Sequence, residues 1–163
     1  MSKKVVLAFS GGLDTSFCVP YLKNEHGYEV HTVMVNTGGF SAEEEKAIEE
    51  RALTLGAASH KNVNAVDTYY NKGIKYLIYG NILKNATYPL SVSSERVFQA
   101  LEVLRHVKEL GADAVAHGST GAGNDQVRFD IVFEVLAPEV EIIAPVREHC
   151  FTRQFEIDYL QKH

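Results

Sequence analysis

Apolar positions recur along this chain with two different periods. Short β-branched runs, such as Val5-Val6-Leu7 and Val33-Met34-Val35, are separated by longer stretches in which apolar residues return every three or four positions. The runs predict strands over residues 4–9, 28–35, 59–63, 114–117 and 141–144. The stretches predict helices over 14–24, 41–55, 67–79, 124–136 and 152–161, with another running from Ser93 or Ser94 to Leu110. Ser41 with Glu44 forms a capping box, and Gly56 and Gly111 mark helix ends. In the helix over 67–79, Tyr69, Ile74, Leu77 and Ile78 share one side, and its four tyrosines are expected to serve packing. In the helix over 124–136, Val127, Ile131, Val132 and Val135 form the expected buried face, and Pro138 closes it. Residues 80–89 read as a loop.

Strands alternating with helices imply an α/β fold, a doubly wound parallel sheet flanked by helices. Such sheets take ligands at the carboxyl ends of their strands, near the switch point. Three loops meet that description: SGGLDTS over 10–16, NTGG over 36–39 and GSTGAGND over 118–125. In the first, Gly11 and Gly12 are expected to take positive φ and let the backbone approach a ligand closely. Amides of the turn and of the first helical turn would then face anionic oxygens, and Ser10, Thr15 and Ser16 add hydroxyl donors. A phosphate chain suits that cradle. It is not the common phosphate loop, because GxxxxGK[ST] is absent. In the third loop, glycines, hydroxyls, an amide, a carboxylate and Arg128 crowd one strand end and helix start, with Asn124 placed to cap the helix.

Bulk composition narrows the partners. At 163 residues the chain has room for one domain with a sizeable core. A net charge of −5 without any basic run argues against extended nucleic-acid binding. No apolar run approaches the ~20 residues of a membrane-spanning helix, and the N-terminus enters a strand without a signal-like segment. Cys18 and Cys150 are too few for a disulfide framework and are expected to be reduced thiols in a cytoplasmic protein. The seven histidines form no metal-ligand spacing with them, so no protein-held metal is expected.

Four segments carry a resemblance. AFSGGLDTS (residues 8–16), TYPLSVS (87–93), HGSTGAGNDQVRF (117–129) and LAPEVEIIAPVRE (136–148) together resemble the argininosuccinate synthase family of the N-type ATP pyrophosphatases. The resemblance extends from end to end of the chain. It implies an adenine nucleotide alpha hydrolase-like fold and a cytoplasmic ligase of arginine biosynthesis. It also implies ATP-dependent condensation of citrulline with aspartate through a citrullyl-adenylate, giving argininosuccinate, AMP and pyrophosphate. Family members carry a second, larger synthetase domain and assemble as homo-oligomers, expected to be tetramers. Residues 1–163 therefore read as the ATP-binding domain alone, inactive without that partner domain.

The resemblance also assigns residues. ATP, with Mg²⁺, would be held by Ala8, Phe9, Ser10, Gly11, Gly12, Leu13, Asp14, Thr15 and Ser16, with Val35 at the adenine end and Gly118 from the second glycine loop. Asp14 reads equally as a helix cap or as a carboxylate reaching phosphate through Mg²⁺. Tyr88, Ser93, Asn124 and Arg128 match citrulline contacts, and Thr120, Asn124 and Asp125 match aspartate contacts. No residue is assigned to bond-making itself. Three departures stand out: Ala122 where the family has lysine, NTGG in place of a DVGQ-like loop, and PVRE in place of PWRE. The first removes a cation expected near the phosphates. Alternative readings are another adenylating ATP pyrophosphatase, of tRNA thiolase or amidotransferase type, or a non-catalytic nucleotide-binding module. The low pI of about 5.8 and the placement of the two cysteines argue against tRNA thiolation.

Overall fold

A computed structural model describes residues 2–163. Five parallel strands form the central sheet: β1 (Lys4–Ala8), β2 (Glu29–Asn36), β3 (Ser59–Asn64), β6 (Ala114–His117) and β7 (Glu141–Ile143), in the order β3-β2-β1-β6-β7. A short antiparallel hairpin, β4 (Leu83–Lys84) with β5 (Tyr88–Pro89), stands apart from it. The helices are α1 (Leu13–Asn24), α2 (Ala42–Thr54), α3 (Val66–Tyr69), α4 (Lys75–Tyr79), α5 (Ser91–Leu110), α6 (Asp125–Leu136), α7 (Pro145–His149) and α8 (Arg153–Lys162). The chain builds β1, β2 and β3 outward to one edge, then returns to place β6 and β7 on the other side of β1. The switch point therefore lies between β1 and β6, and the two glycine-rich loops leave these neighbouring strands.

Both faces of the sheet are covered, which is why the strands read as apolar runs rather than as alternations. Val5 and Leu7 point into one core with Phe17 and Leu22 of α1, Ile48 of α2 and Val146 of α7. Val6 and Val115 point into the other, with Val103 and Val107 of α5 and Phe133 of α6. The capping box closes both ways: Ser41 Oγ accepts from the Glu44 amide, and the Glu44 carboxylate accepts from the Ser41 amide at 2.8 Å. Gly111 ends α5 in the left-handed conformation, φ 58°.

Several expected elements change. The single helix over 67–79 is interrupted by a π-helical segment, Tyr70–Ile74; on the expected side Tyr69 is buried, Ile74 and Leu77 are half-buried and Ile78 is exposed. Only Tyr69 is buried there, while Tyr70, Tyr76 and Tyr79 are exposed, so they do not serve packing as expected. Residues 80–89 hold the β4–β5 hairpin, whose turn places Asn85 and Ala86 at positive φ. Helix α5 begins at Ser91 with Leu90 as its N-cap residue, so neither Ser93 nor Ser94 caps it. Ser94 Oγ instead donates to the Ser91 carbonyl inside the first turn. On α6 the expected stripe is largely wrong: Val127, Ile131 and Val135 are 49, 55 and 70% exposed, while Phe129, Val132 and Phe133 are buried. The buried side of the helix is instead set by Phe129 and Phe133, which pack with Val132 into the core and against His117 of β6. Pro145–His149 adds a helix that sequence periodicity did not show.

Candidate functional site

A cleft of about 630 Å³ opens where β1, β2 and β6 end. Its floor is the turn from β1 into α1. Gly11 takes φ 74°, a conformation that L side chains adopt only under strain, and its carbonyl accepts from Arg51 of α2 at 2.5 Å. Gly12, expected at positive φ, instead has φ −74° and ψ 172° and is the N-cap residue of α1. It offers no side-chain cap, so the first-turn amides of α1 lack an internal acceptor. Asp14 is consequently not the cap. Thr15 Oγ1 donates to the Gly12 carbonyl at 3.2 Å and lies 3.3 Å from Ser10 Oγ. The hydroxyls of this turn are thus gathered at the helix start, where an anion is favoured.

The second glycine loop meets the first in van der Waals contact. A Cβ added at Gly118 would lie 2.9 Å from Thr15 Cγ2 and 3.0 Å from the Thr15 amide nitrogen. The sheet topology brings together, in the cleft lining, Ala8, Phe9, Ser10, Gly12, Leu13, Asp14, Thr15, Val35, Gly118 and Asp125. Gly11 and Ser16 belong to the same turn but stand behind the lining; Ser16 is buried, and its Oγ has no hydrogen-bond partner among the described residues. Thr120 and Asn124 are exposed on the second loop, outside the lining, and Asn124 occupies the N-cap position without making the expected side-chain bond. Tyr88 sits on the β4–β5 hairpin, 51% exposed and also outside the lining.

Ser93 and Arg128 reach the cleft through a polar network. Arg128 donates to Asp125 Oδ1 at 2.6 Å and to Ser93 Oγ at 3.0 Å, while Arg96 Nε donates to Asp125 Oδ2 at 3.0 Å. Glu95 accepts from Thr37 Oγ1 at 2.5 Å, which ties the NTGG loop to α5. Burial would raise the Asp125 carboxyl, but the Arg96 and Arg128 guanidiniums outweigh it and hold the group below its ordinary value. Both oxygens of Asp125 are occupied by guanidinium groups, so a substrate ammonium would have to share this carboxylate with two arginines.

Sequence reading did not single out Arg51, Glu95, Arg96, Gln99, Arg153 or Glu156. A signal for part of this set exists: Ser93, Arg96 and Gln99 recur every three positions, a polar stripe on an otherwise amphipathic helix. Arg153, on the first turn of α8, also lines the cleft, so cations border it despite Ala122, which is exposed on the second loop. Glu156 lies one turn further along α8, 1% exposed. Burial, together with the neighbouring Asp14 carboxylate, pushes its carboxyl up to about 7. Burial also pushes the Cys18 thiol up, so Cys18 is an inert core residue, whereas Cys150 is exposed. Among the described residues no cluster of three or more metal-binding side chains forms, and no helix is long and apolar enough to cross a membrane.

Comparison with known proteins agrees with this geometry. A predicted tRNA methyltransferase subunit from Methanocaldococcus jannaschii superimposes with a TM-score of 0.61 over 98% of this chain and 74% of that one. At 20% identity this likeness bears on the fold alone. Argininosuccinate synthase of Xanthomonas campestris pv. campestris is 47% identical over 99% of this chain, and that of Pyrobaculum aerophilum is 43% identical over 99%. The Lacticaseibacillus paracasei argininosuccinate synthase is 42% identical over 100%. The chain spans about two-fifths of the length of these relatives, 41, 40 and 40% respectively. The family described as Arginosuccinate synthase N-terminal HUP domain matches residues 4–163. With its glycine turns, sheet order and end-to-end identity in agreement, the chain belongs to the argininosuccinate synthase family and corresponds to that N-terminal domain.

Proposed function

We propose that residues 1–163 act as the ATP-binding domain of an argininosuccinate synthase, serving the ATP-dependent joining of citrulline and aspartate through a citrullyl-adenylate. The contact of Gly118 with the first turn of α1 carries this reading. It unites two glycine loops, separated by about a hundred residues, at one open helix N-terminus. The α1 amides with Ser10 and Thr15 hold the phosphates and the departing pyrophosphate, and the apolar wall of Phe9, Val33 and Val35 takes the adenine end. Mg²⁺ arrives with the nucleotide and neutralises phosphate charge; Asp14 is the carboxylate nearest the turn that can approach it. Ser93 and Arg128 orient citrulline with help from Tyr88 and Asn124, while Asp125, Asn124 and Thr120 receive aspartate. Positioning and charge stabilisation are the main demands of such a reaction.

The test is a titration of the chain with ATP·Mg²⁺, monitored by amide NMR and calorimetry. Shifts concentrated at Gly12 to Thr15 and at Gly118 are expected. Unchanged spectra at millimolar nucleotide, in a folded sample, would refute the reading. With citrulline and aspartate also supplied, the expectation is binding without turnover, and release of argininosuccinate would overturn it.

A further inference from the structure

Arg147 lies on α7, outside the cleft, in the PVRE segment. Its Nη1 donates to Asp130 Oδ2 at 2.5 Å and to Gln126 Oε1 at 3.3 Å. From each acceptor a further arm runs to the second glycine loop. On one arm, Asp130 Oδ1 lies 2.9 Å from His117 Nε2, and the Ser119 amide donates to His117 Nδ1 at 3.2 Å. An amide only donates, so Nδ1 is the bare nitrogen and Nε2–H donates to Asp130. On the other arm, Gln126 Nε2 donates to the Gly121 carbonyl at 2.9 Å and to the Gly123 carbonyl at 3.0 Å. Because Arg147 occupies Gln126 Oε1, the amide is oriented with its nitrogen toward the loop.

We propose that Arg147 is the positioning residue of the second glycine loop: through Asp130–His117 and through Gln126 it fixes the Ser119 amide and two glycine carbonyls, and thereby sets Gly118 against the phosphate turn. A loop with three glycines loses much backbone freedom when it is ordered, so bonds of this kind decide whether it is ordered before a ligand arrives. His117 is 1% exposed and stacked on Phe129, which makes this arm a rigid strut. Burial lowers its pKa most, Asp130 and the Glu148 charge oppose that shift, and the Arg147 charge adds to the lowering. The ring is therefore neutral in the tautomer that the Ser119 amide requires. This inference rests on the proposed nucleotide site only for its consequence, not for the relay itself.

The test uses the 163-residue chain and Arg147→Met without nucleotide. Ring ¹⁵N NMR of the wild type should report a bare Nδ1 and a protonated Nε2. In the variant Asp130 is left uncompensated, so His117 should titrate at higher pH. Backbone order parameters over residues 119–124 should fall below about 0.6 while those of β1 and α5 stay near 0.85. Arg147→Lys keeps a positively charged donor at this position and should restore much of both signals. A folded Met variant with wild-type His117 titration and loop order would overturn the proposal. Should that variant fail to unfold cooperatively, Gln126→Ala and Asp130→Asn each cut one arm. The first should loosen the loop beyond Gly121 and leave the ring unchanged; the second should change the His117 tautomer signature. Absence of both effects would likewise overturn the relay. ATP·Mg²⁺ should then bind at least several-fold more weakly to a variant with a loosened loop, and equal affinity would remove the functional consequence. A wild type that binds no nucleotide would instead strike the proposed function and leave the relay standing.

Discussion

The contact between the two glycine loops makes Gly118→Ala a sharp perturbation. The added Cβ would meet Thr15 Cγ2 at 2.9 Å, the Thr15 nitrogen at 3.0 Å and the Asp14 carbonyl carbon at 3.2 Å. Comfortable carbon contacts begin near 3.5 Å, so the overlap is about half an ångström. Rotating Thr15 relieves only the first contact and disturbs its bond to the Gly12 carbonyl. The other two contacts are backbone, so the first turn of α1 and the β6 end must move apart. Overpacking of this kind costs about 1–3 kcal/mol, which for a domain of this size lowers the melting temperature by roughly 2–12 °C. The assay is urea and thermal unfolding monitored by circular dichroism, with two comparison variants. Gly123→Ala places its Cβ in open space, outside the left-handed region, and should change stability by no more than about 0.5 kcal/mol. Gly11→Ala combines φ 74° with a 3.0 Å contact to Ile48 Cγ1 and should cost about 1–2 kcal/mol or more. If Gly118→Ala unfolds with Gly123→Ala and the wild type, the loops do not touch and do not converge on one ligand.

Three further outcomes are expected. Gly12→Ala should keep wild-type stability, since its Cβ meets only Ser10 Oγ at 3.5 Å, yet weaken ATP·Mg²⁺ binding measured by calorimetry; full affinity would show that no ligand approaches this backbone. Glu156→Gln should flatten the pH dependence of the urea midpoint. Below its ordinary value of 4.5 both states of Glu156 are protonated; between there and about 7 only the unfolded chain ionises, so the wild type loses stability as pH rises, with a ceiling of about 3 kcal/mol. An equal wild-type and variant slope between pH 5 and 8 would refute that assignment. On α6, Phe133→Ala should cost about 3–5 kcal/mol and Ile131→Ala well under 1, measured by urea unfolding; the reverse ranking would mean that the helix is rotated as its valine stripe suggested.

The sheet was legible because its strands are buried on both faces. Val5, Val6 and Leu7 are apolar without alternation, and that pattern occurs in covered parallel sheets. The capping box at Ser41 and the left-handed end at Gly111 were legible because each is fixed by a few neighbouring residues. What failed was decided at longer range. The orientation of α6 depends on the stacking of Phe129 against His117, a residue of β6 that periodicity within the helix does not register. The π segment is set where Gly73 packs against Phe98 of α5, at 3.0 Å from where its Cβ would stand. Helix α7 is only five residues long and carries too little periodicity to be seen.

The candidate site divides along the same line, and its glycines show why. The fold requires Gly11 and Gly118: one sits at φ 74°, the other has backbone where a side chain would stand. Gly12 is different, because extended backbone and an ordinary 3.5 Å neighbour would admit alanine, yet it lines the cleft. A glycine that neither conformation nor packing demands, placed where helix amides lack acceptors, is what the proposed nucleotide binding calls for, since a ligand could come close to its backbone. The string SGGLDTS presents both glycines alike, so only their conformations in the fold tell them apart. The supporting groups were hidden in sequence for a related reason. Arg51 acts on the Gly11 carbonyl and Arg147 on Asp130, across separations of 40 and 17 residues, each through one bond that no local pattern encodes. Motifs thus name groups that line the cleft, whereas the residues that hold those groups in place are set by topology.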